Sequence, residues 1–380
     1  MESMALNLDK LFNGIYKGKK VLITGDTGFK GSWLSIWLKE MGAKVFGYSL
    51  PPATTDANYL KCDLFKKINH QDGDVRDLKK LVDYVQKVQP DIAFHLAAQA
   101  IVIDSYHNPQ YTFETNLMGV VNFFESIRQT PSVKAAVNVT SDKCYQNNEW
   151  HWGYRENDPM GGKDPYSASK GCSELITQAY NNSFFNGDDT CSIATARAGN
   201  VIGGGDWADY RIVPDFFRSV RNNTKMVMRN TDAIRPWQLV LEPLSGYLLL
   251  GALLFQFGDK YSGAWNFGPF DTNASVKYLI DSILLHTKAG QYEIPEIPDK
   301  PHEAKILRLD ISKAVSMMNW KPVLNFDQTI EFTAKGYLDE INGNKDLYSC
   351  RLDDINKYVQ IAGAKKIQWA SADMLLNGNL

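Results

Sequence analysis

Residues 21–31, which read Val-Leu-Ile-Thr-Gly-Asp-Thr-Gly-Phe-Lys-Gly, constrain the fold of this 380-residue chain more than any other segment. Residues 19–24 are short, apolar and closed by a glycine, which is typical of a buried strand. Residues 32–41 then carry an apolar helical face, and Gly42 lies just beyond their end. A strand, a glycine-rich turn and a helix in this order predict the first unit of a layered α/β fold.

The alternation of strands and helices continues through the first half of the chain. Further strands are predicted at 44–48, 92–96, 135–140 and 191–197, and further helices at 78–88, 109–128 and 166–181. This pattern predicts a doubly wound parallel sheet of the Rossmann type. After Gly199 the rhythm loosens, so we expect a smaller C-terminal lobe. We place the first domain at 15–198 with a returning segment near 236–262, and the lobe at 199–235 and 263–360.

Charge and composition exclude several classes of partner. The formal net charge is −2, so no basic face for nucleic acid is expected. The longest apolar run, 247–257, is interrupted by polar and small residues and is shorter than the ~18 residues of a membrane span. The N-terminal segment 1–20 lacks the apolar core of a signal peptide. The five cysteines have no metal-binding spacing, so we expect reduced thiols, no metal site and a cytoplasmic location.

The three glycines of the first turn have the spacing of a phosphate-binding loop. Gly25, Gly28 and Gly31 follow the predicted strand and lead into the predicted helix. One glycine allows the tight turn, another the close approach of a pyrophosphate, and a third the packing of helix on strand. The helix N-terminus adds unpaired N–H groups that attract an anion. The turn therefore predicts a dinucleotide site, although an ordinary turn is also glycine-rich.

A second group, about 140 residues further on, can move protons. Tyr166 and Lys170 are one helical turn apart and share a face. A tyrosine pKa near ~10 is too high for a base, but an adjacent ammonium and a positively charged cofactor ring would favour the phenolate. Ser141 would hydrogen-bond the same substrate hydroxyl. A surface tyrosine and lysine also fit the bare pattern, but the upstream glycine motif and the Asp164-Pro165 lead-in favour the functional interpretation.

Together these segments resemble the extended short-chain dehydrogenase/reductase superfamily. The resemblance implies an NAD site formed by Gly25, Thr27, Gly28, Phe29, Lys30, Gly31, Asp74, Val75, Leu96, Ala97, Ala98, Gln99 and Asn116, together with Tyr166 and Lys170. NAD is preferred over NADP on a single feature. The second predicted strand ends in Tyr-Ser-Leu-Pro-Pro, which has no arginine for a 2′-phosphate, although it also lacks the usual acid for a ribose 2′-OH.

Asp142 and Lys143, directly after Ser141, narrow the resemblance to the nucleotide-sugar 4,6-dehydratases. These enzymes carry an aspartate, the acid for a leaving hydroxyl, and next to it usually a glutamate, the base for a carbon-bound proton. Lysine in the second place, with segments 28–33, 152–162 and 235–237, resembles the CDP-glucose branch over residues 17–338. The branch usually has other residues, His, Pro, Arg and His, at the positions of Asp26, Ala100, Ile103 and Leu239.

The resemblance implies oxidation at sugar C4, loss of water across C5–C6 and return of the hydride to C6. Lys143 would act as base or as charged electrophile. It also implies substrate contacts and a homodimer or homotetramer formed through helices 109–128 and 166–181; the contact residues are Asn200, Arg211, Arg235, Asn266 and His302. The alternatives are a 4-epimerase or 4-reductase, a dehydratase of another nucleotide sugar, and a dinucleotide-sensing binding protein on the same fold.

Overall fold

A computed structural model describes residues 7–187, 190–228, 230–270, 274–295, 306–343 and 346–370, and within them one seven-stranded parallel sheet forms the centre of the molecule. Its strands are β1 Lys20–Thr24, β2 Lys44–Ser49, β3 Asn69–Asp72, β4 Ile92–His95, β5 Ala135–Val139, β6 Ser192–Ala198 and β10 Gly263–Phe267. Two short parallel pairs join β7 Val201–Ile202 to β9 Gln238–Leu239 and β8 Lys225–Val227 to β11 Gln291–Glu293.

Helices cover both faces of this sheet and build the rest of the molecule. They are α1 Phe29–Glu40, α2 Asn58–Lys61, α3 Leu78–Val88, α4 Val102–His107, α5 Pro109–Phe113, α6 Gly119–Arg128, α7 Pro165–Phe184, α8 Ile212–Asn222, α9 Leu241–Phe257, α10 Val276–Thr287, α11 Ser312–Met318, α12 Phe326–Ile341 and α13 Leu347–Ala364. The predicted helix 109–128 is three pieces, because a π-helical segment, Glu114–Met118, separates α5 from α6.

The strand order is β10-β6-β5-β4-β1-β2-β3, the order of a Rossmann sheet with one strand added. The carboxyl ends of β1, β4 and β5 therefore meet at one edge, where ligands of open α/β sheets bind. The predicted doubly wound fold is confirmed. Strand β3 was not predicted, because an edge strand with the polar sequence Asn-His-Gln-Asp has no apolar pattern to reveal it.

Helix α9 returns from the C-terminal half to cover the sheet. It packs against β4, β5 and β6, and its core positions are completely buried. The segment Leu241–Tyr261 is long and apolar enough to cross a membrane, but 78% of its most apolar window is buried inside the protein. Its hydrophobicity is therefore explained by its place in the core.

A separate apolar cluster forms the interior of the smaller lobe. It brings together α8, α10 and α12 around the side chains of Phe216, Phe217, Ile283 and Tyr337. The rings of Phe217 and Tyr337 stack with centroids 4.1 Å apart. This cluster is distinct from the two clusters that line the faces of the central sheet. The exact domain limits stay a prediction.

Candidate active site

The glycine turn after β1 is closed tightly by its own backbone. The N–H of Gly28 donates to the carbonyl of Gly25 at 3.1 Å, and helix α1 begins at the next residue. Gly25 has a φ of +80°, and a Cβ there would lie 2.7 Å from the amide nitrogen of Ala97. A Cβ on Gly31 would overlap the carbonyl oxygen of Gly25. Only glycine fits these places, and no side chain caps the amides at the start of α1.

The carboxyl end of β2 bears hydroxyl groups where an acid is usual. The hydroxyl oxygens of Thr27 and Ser49 lie 2.9 Å apart. The Thr27 hydroxyl also donates to the carbonyl of Leu50, and Ser49 donates to the buried carboxylate of Asp26. The nearest acid to this strand end is therefore supplied by the glycine loop. This acid, Asp26, is fully buried.

Asn116 lies in the π-helical segment, and its side-chain amide is hydrogen-bonded to other groups of the protein. Its Oδ1 accepts from the N–H of Gln99 at 2.8 Å, and its Nδ2 donates to the Gln99 carbonyl and the Ser169 hydroxyl. It therefore fixes the loop after β4, which contains Leu96, Ala97 and Ala98. This is a positioning contact in the protein alone, and the expected direct contact with a cofactor stays a prediction. Asp74, expected near the adenine, is paired with Arg76 at 2.7 Å.

Ser141 and Tyr166 meet at the carboxyl end of β5. Ser141 follows Val139 and Thr140 at the end of that strand, and Tyr166 lies in the first turn of α7. Asp164 caps this helix by accepting from the Ser167 N–H at 2.9 Å. The cap fixes where the helix begins and therefore the position of Tyr166. The Ser141 hydroxyl is close enough to the Tyr166 phenol to lower its pKa. The predicted pair is thus assembled.

The electrostatics around Tyr166 differ from the expectation. Burial raises the pKa of Tyr166 to about 12, although the Ser141 hydrogen bond and the charge of Arg211 oppose the rise. Burial likewise lowers the pKa of Lys170 to about 8, against the attraction of Glu174. Without its ligands the protein therefore holds Tyr166 as a neutral phenol. The expected phenolate needs additional positive charge at the site.

Asp142 has an oxygen with no partner in the described part of the chain. Its side chain is 3% exposed. Its Oδ1 accepts from the Ser141 hydroxyl at 3.0 Å, while its Oδ2 is buried and unpaired. That Oδ2 lies 2.9 Å from the place where a Cβ on Gly199 would stand. Burial raises the pKa of Asp142, although the charges of Lys143, Arg235 and Lys30 oppose the rise.

Two lysines lie near Asp142. Lys143 is half-buried beside it. Lys30, expected as a cofactor residue, projects from the first turn of α1 and its Nζ lies 3.4 Å from the hydroxyl of Tyr247. Burial and the like charges of Arg211 and Lys170 lower the pKa of Lys30 to about 7. This lysine therefore faces the charged centre of the site.

The expected substrate residues separate into two groups. Arg235 is buried with its charge acting on Asp142, and Arg211 donates to Asp206 at 2.8 Å. Asn200 is half-buried, and its carbonyl accepts from Gln238 N–H. These three can face a ligand.

Asn266 is fully buried. Its Nδ2 donates to the carbonyls of Tyr154 and Asp310, and its Oδ1 accepts from Tyr145 at 2.8 Å. In the protein alone Asn266 is thus a structural bridge, and the expected substrate contact stays a prediction. His302 lies outside the described residues.

Two site residues were not predicted. Asp206 belongs to a Gly-Gly-Gly-Asp-Trp segment that the sequence marks only as a loop, and Tyr247 lies in an apolar run whose hydropathy conceals its hydroxyl. Asp206 orients Arg211, whereas Tyr247 is close enough to Lys30, Asp142 and Tyr166 to interact with all three.

The sheet order, the glycine turn and the Ser141–Tyr166 pair define the fold as that of the extended short-chain dehydrogenase/reductases. The profile of the GDP-mannose 4,6 dehydratase family matches residues 22–333, so the chain belongs to that family. The chain is 45% identical to CDP-glucose 4,6-dehydratase of Salmonella typhimurium over 93% of this chain and 98% of the relative. It is 26% identical to GDP-mannose 4,6 dehydratase 1 of Arabidopsis thaliana, covering 87% and 92%.

Solved structures with the same fold are more distant in sequence. UDP-glucose 4-epimerase of Thermus thermophilus in complex with NAD superposes with a TM-score of 0.72 at 22% identity, covering 86% of this chain and 99% of the epimerase. An epimerase of Methanothermobacter thermautotrophicus reaches 0.74 at 23% identity, covering 92% and 99%. These similarities show a shared fold only.

Proposed function

We propose that the protein catalyses the NAD-dependent 4,6-dehydration of CDP-glucose to CDP-4-keto-6-deoxyglucose. The 45% identical relative bears the name of this activity. The observation that carries the proposal is the unpaired, buried Oδ2 of Asp142 beside the Ser141–Tyr166 pair. Simple oxidation or epimerisation at C4 needs the serine and tyrosine, whereas elimination of water needs an additional acid. The raised pKa of Asp142 favours the protonated form that an acid requires.

NAD fits the turn after β1. The glycines allow the tight packing of this turn, and the amides at the start of α1, which Gly28 does not cap, are suitable donors to pyrophosphate oxygens. Gly25, Gly28 and Gly31 would surround the phosphates, and the Lys30 ammonium would add a positive charge. Bound NAD supplies a reversible acceptor for the C4 hydride, which is later returned to C6. Ser49 at the end of β2 and Thr27 in the glycine loop are the proposed neighbours of the adenosine ribose.

Tyr166 takes the proton of the C4 hydroxyl. Ser141 holds the same hydroxyl through its Oγ, which already lies close enough to the phenol to lower the pKa of Tyr166. Because burial holds the pKa of Tyr166 at about 12, the base forms when positive charge enters the site. Lys170, one turn along α7, has its Nζ 3.5 Å from the carbonyl of Val139 and is held on the same side of the site.

Elimination then involves the pair after Ser141. A ketone at C4 acidifies the C5 proton, and Lys143 is the proposed base that removes it. Asp142 gives its proton from Oδ2 to the departing C6 hydroxyl, which leaves as water. The proton on C5 is later restored by the same amine. Both residues belong to the short helix Asp142–Cys144, and their adjacency there supports the proposal of an acid and a base in one place.

The nucleotide diphosphate is proposed to lie against the lobe. Arg235 and Arg211 offer guanidinium groups, whose planar fork suits phosphate oxygens. Asn200, at the junction between β6 and β7, adds an amide on the same side. Because Arg235 acts on Asp142 and Arg211 acts on Tyr166, the diphosphate would also modulate both catalytic groups.

The deciding experiment is incubation of the purified protein with CDP-glucose and NAD, with mass analysis of the nucleotide sugars. The expected product has lost one water, and no NADH accumulates. An unchanged mass with inversion at C4 would contradict the proposal and favour the epimerase, whose fold the solved neighbours share. Water loss from another nucleotide sugar, but not from CDP-glucose, would contradict only the substrate.

We also propose a homodimer or homotetramer. Helix α7 packs against α4 and α6. Ile103 and Tyr106 of α4, Met118 of the π-helical segment and Leu175 of α7 are exposed. Apolar side chains on neighbouring helices favour a second copy as partner. Light scattering of the protein and of Leu175→Glu tests this, since the variant should shift toward monomer. A cytoplasmic location is supported by five free cysteines.

A further inference from the structure

Helix α13 lies beyond the last residue matched by the family, residue 333, and sequence motifs give it no role. Asp346 caps it by accepting from the Ser349 N–H at 3.0 Å. It packs against α1, the helix that follows the glycine turn, and against α12. Through these two neighbours α13 can affect the position of active-site groups without contacting a ligand.

Arg351 of α13 is fully buried, and each nitrogen of its guanidinium has a partner. Its Nε donates to Oδ1 of Asn58 at 3.0 Å, and Nη1 donates to the carbonyl of Gly336 at 3.0 Å. Its Nη2 forms an ion pair with Glu340. The guanidinium also lies 5.4 Å from the ring centroid of Trp33. These contacts satisfy a buried charge that would otherwise be costly.

The same contacts hold the loop 203–207. A Cβ on Gly204 would lie 2.6 Å from Nη1 of Arg351, so the loop backbone packs directly on the guanidinium. Trp33 donates its indole N–H to the Gly204 carbonyl at 3.0 Å. Glu340, the ion-pair partner, accepts from the indole of Trp207 at 2.5 Å. Both ends of the loop are therefore tied to Arg351 and its partner.

The loop in turn holds a residue of the active site. Tyr337, adjacent to Gly336 on α12, donates to the backbone carbonyl of Asp206 at 2.5 Å. The carboxylate of Asp206 accepts from Nη1 of Arg211 at 2.8 Å. The positive charge of Arg211 acts on Tyr166. Hydrogen bonds and packing thus connect α13 to Arg211, and the charge of Arg211 reaches the base of the proposed reaction.

We propose that Arg351 is a positioning residue: it fixes the loop 203–207 so that Asp206 aims Arg211 at Tyr166. The inference rests on the proposed function for the role of Tyr166. A buried ion pair often contributes little net stability compared with apolar packing. Its directional bonds instead select one conformation of the loop, which is what a preorganised site requires.

The test uses Arg351→Met, with Tyr358→Phe as the matched control. Tyr358 is buried on the same helix but bonds Glu242 at 2.8 Å, away from the loop. Hydrogen exchange, followed by mass spectrometry, reports on residues 203–211 without any ligand. We expect faster exchange there in Arg351→Met and unchanged exchange in the control. Unchanged exchange in a folded Arg351→Met protein, or an equal effect of the control, would overturn the proposal.

Turnover supplies the second readout. In Arg351→Met we expect kcat to fall on the order of tenfold to a hundredfold, as small misplacements of catalytic groups do, and the pH profile to move. Arg351→Lys should recover part of kcat. If Arg351→Met does not fold, Tyr337→Phe removes the bond to Asp206 and must give the same exchange and kcat changes. An inactive wild-type protein would refute the proposed function, while the exchange data would still decide the positioning role.

Discussion

Nδ1 of His70 lies 2.7 Å from Oδ2 of Asp26, so the edge strand β3 is tied to the glycine turn by a covered ion pair. A histidine thus reaches the acid of the glycine turn from another strand. A Cβ on Gly47 would overlap the Asp26 carboxylate, so β2 leaves space for the pair. The glycine turn, where NAD is proposed to bind, is therefore anchored by a charged hydrogen bond.

The His70–Asp26 pair predicts a pH-dependent stability. Burial opposes the imidazolium, but the hydrogen bond and charge of Asp26, with help from Asp72, raise the pKa of His70 above its ordinary 6.5. A raised folded pKa means that the contribution is complete below 6.5 and is lost as the pH rises through the folded value. Thermal unfolding of His70→Gln should differ from wild type at acidic pH, and the difference should shrink with rising pH. A constant difference, or the same trend in the exposed-site control His286→Gln, would contradict this.

Asp142→Asn should separate oxidation from elimination. An amide of the same shape accepts from Ser141 but cannot donate a proton of comparable acidity. We expect turnover to fall ~10²–10⁴-fold, the usual contribution of a general acid. NADH absorbance should still rise on mixing with CDP-glucose, because Tyr166 remains. Tyr166→Phe serves as the contrast, since it should abolish that rise, and dehydration at the wild-type rate by Asp142→Asn would refute the acid role.

Lys143→Met tests the base. Removing the amine should stop exchange of the C5 hydrogen with deuterated water while leaving the C4 oxidation signal. Mass spectrometry of the recovered nucleotide sugar measures the exchange. Lys163→Met, at an exposed position between the two motifs, is the matched control and should behave as wild type. Full turnover by Lys143→Met would remove this lysine from the mechanism.

Lys30 predicts that NAD affinity depends on pH. Burial and neighbouring cations lower the pKa of Lys30 to about 7, whereas a phosphate nearby favours the ammonium. Binding should therefore take up protons, and the NAD dissociation constant should rise as the pH passes above 7. Titration of tryptophan fluorescence with NAD measures this. Lys30→Met should flatten the dependence, and an unchanged slope in that variant would place the amine away from the phosphates.

Local signals in the sequence predict much of the fold and of the site. The strand–turn–helix at the N-terminus, the helix with Tyr166 and Lys170, and the parallel sheet follow from periodicity and glycine spacing. Helix α1 begins three residues earlier than predicted, because no side-chain cap marks its start. The contacts of Asp206, Tyr247 and Arg351 could not be predicted, since they join segments distant in sequence. Nor could the high pKa of Tyr166, because burial is a property of the assembled fold.

The late position of α9 in the sequence affects how the protein folds during synthesis. Strands β1 to β6 are complete by residue 198, but the helix that covers β4, β5 and β6 ends at Phe257 and strand β10 follows it. During synthesis an apolar sheet surface must stay uncovered while the ribosome adds the segment between them. Long-range closure of this kind slows folding and invites aggregation. Emerging chains are thus expected to need chaperone protection over that interval.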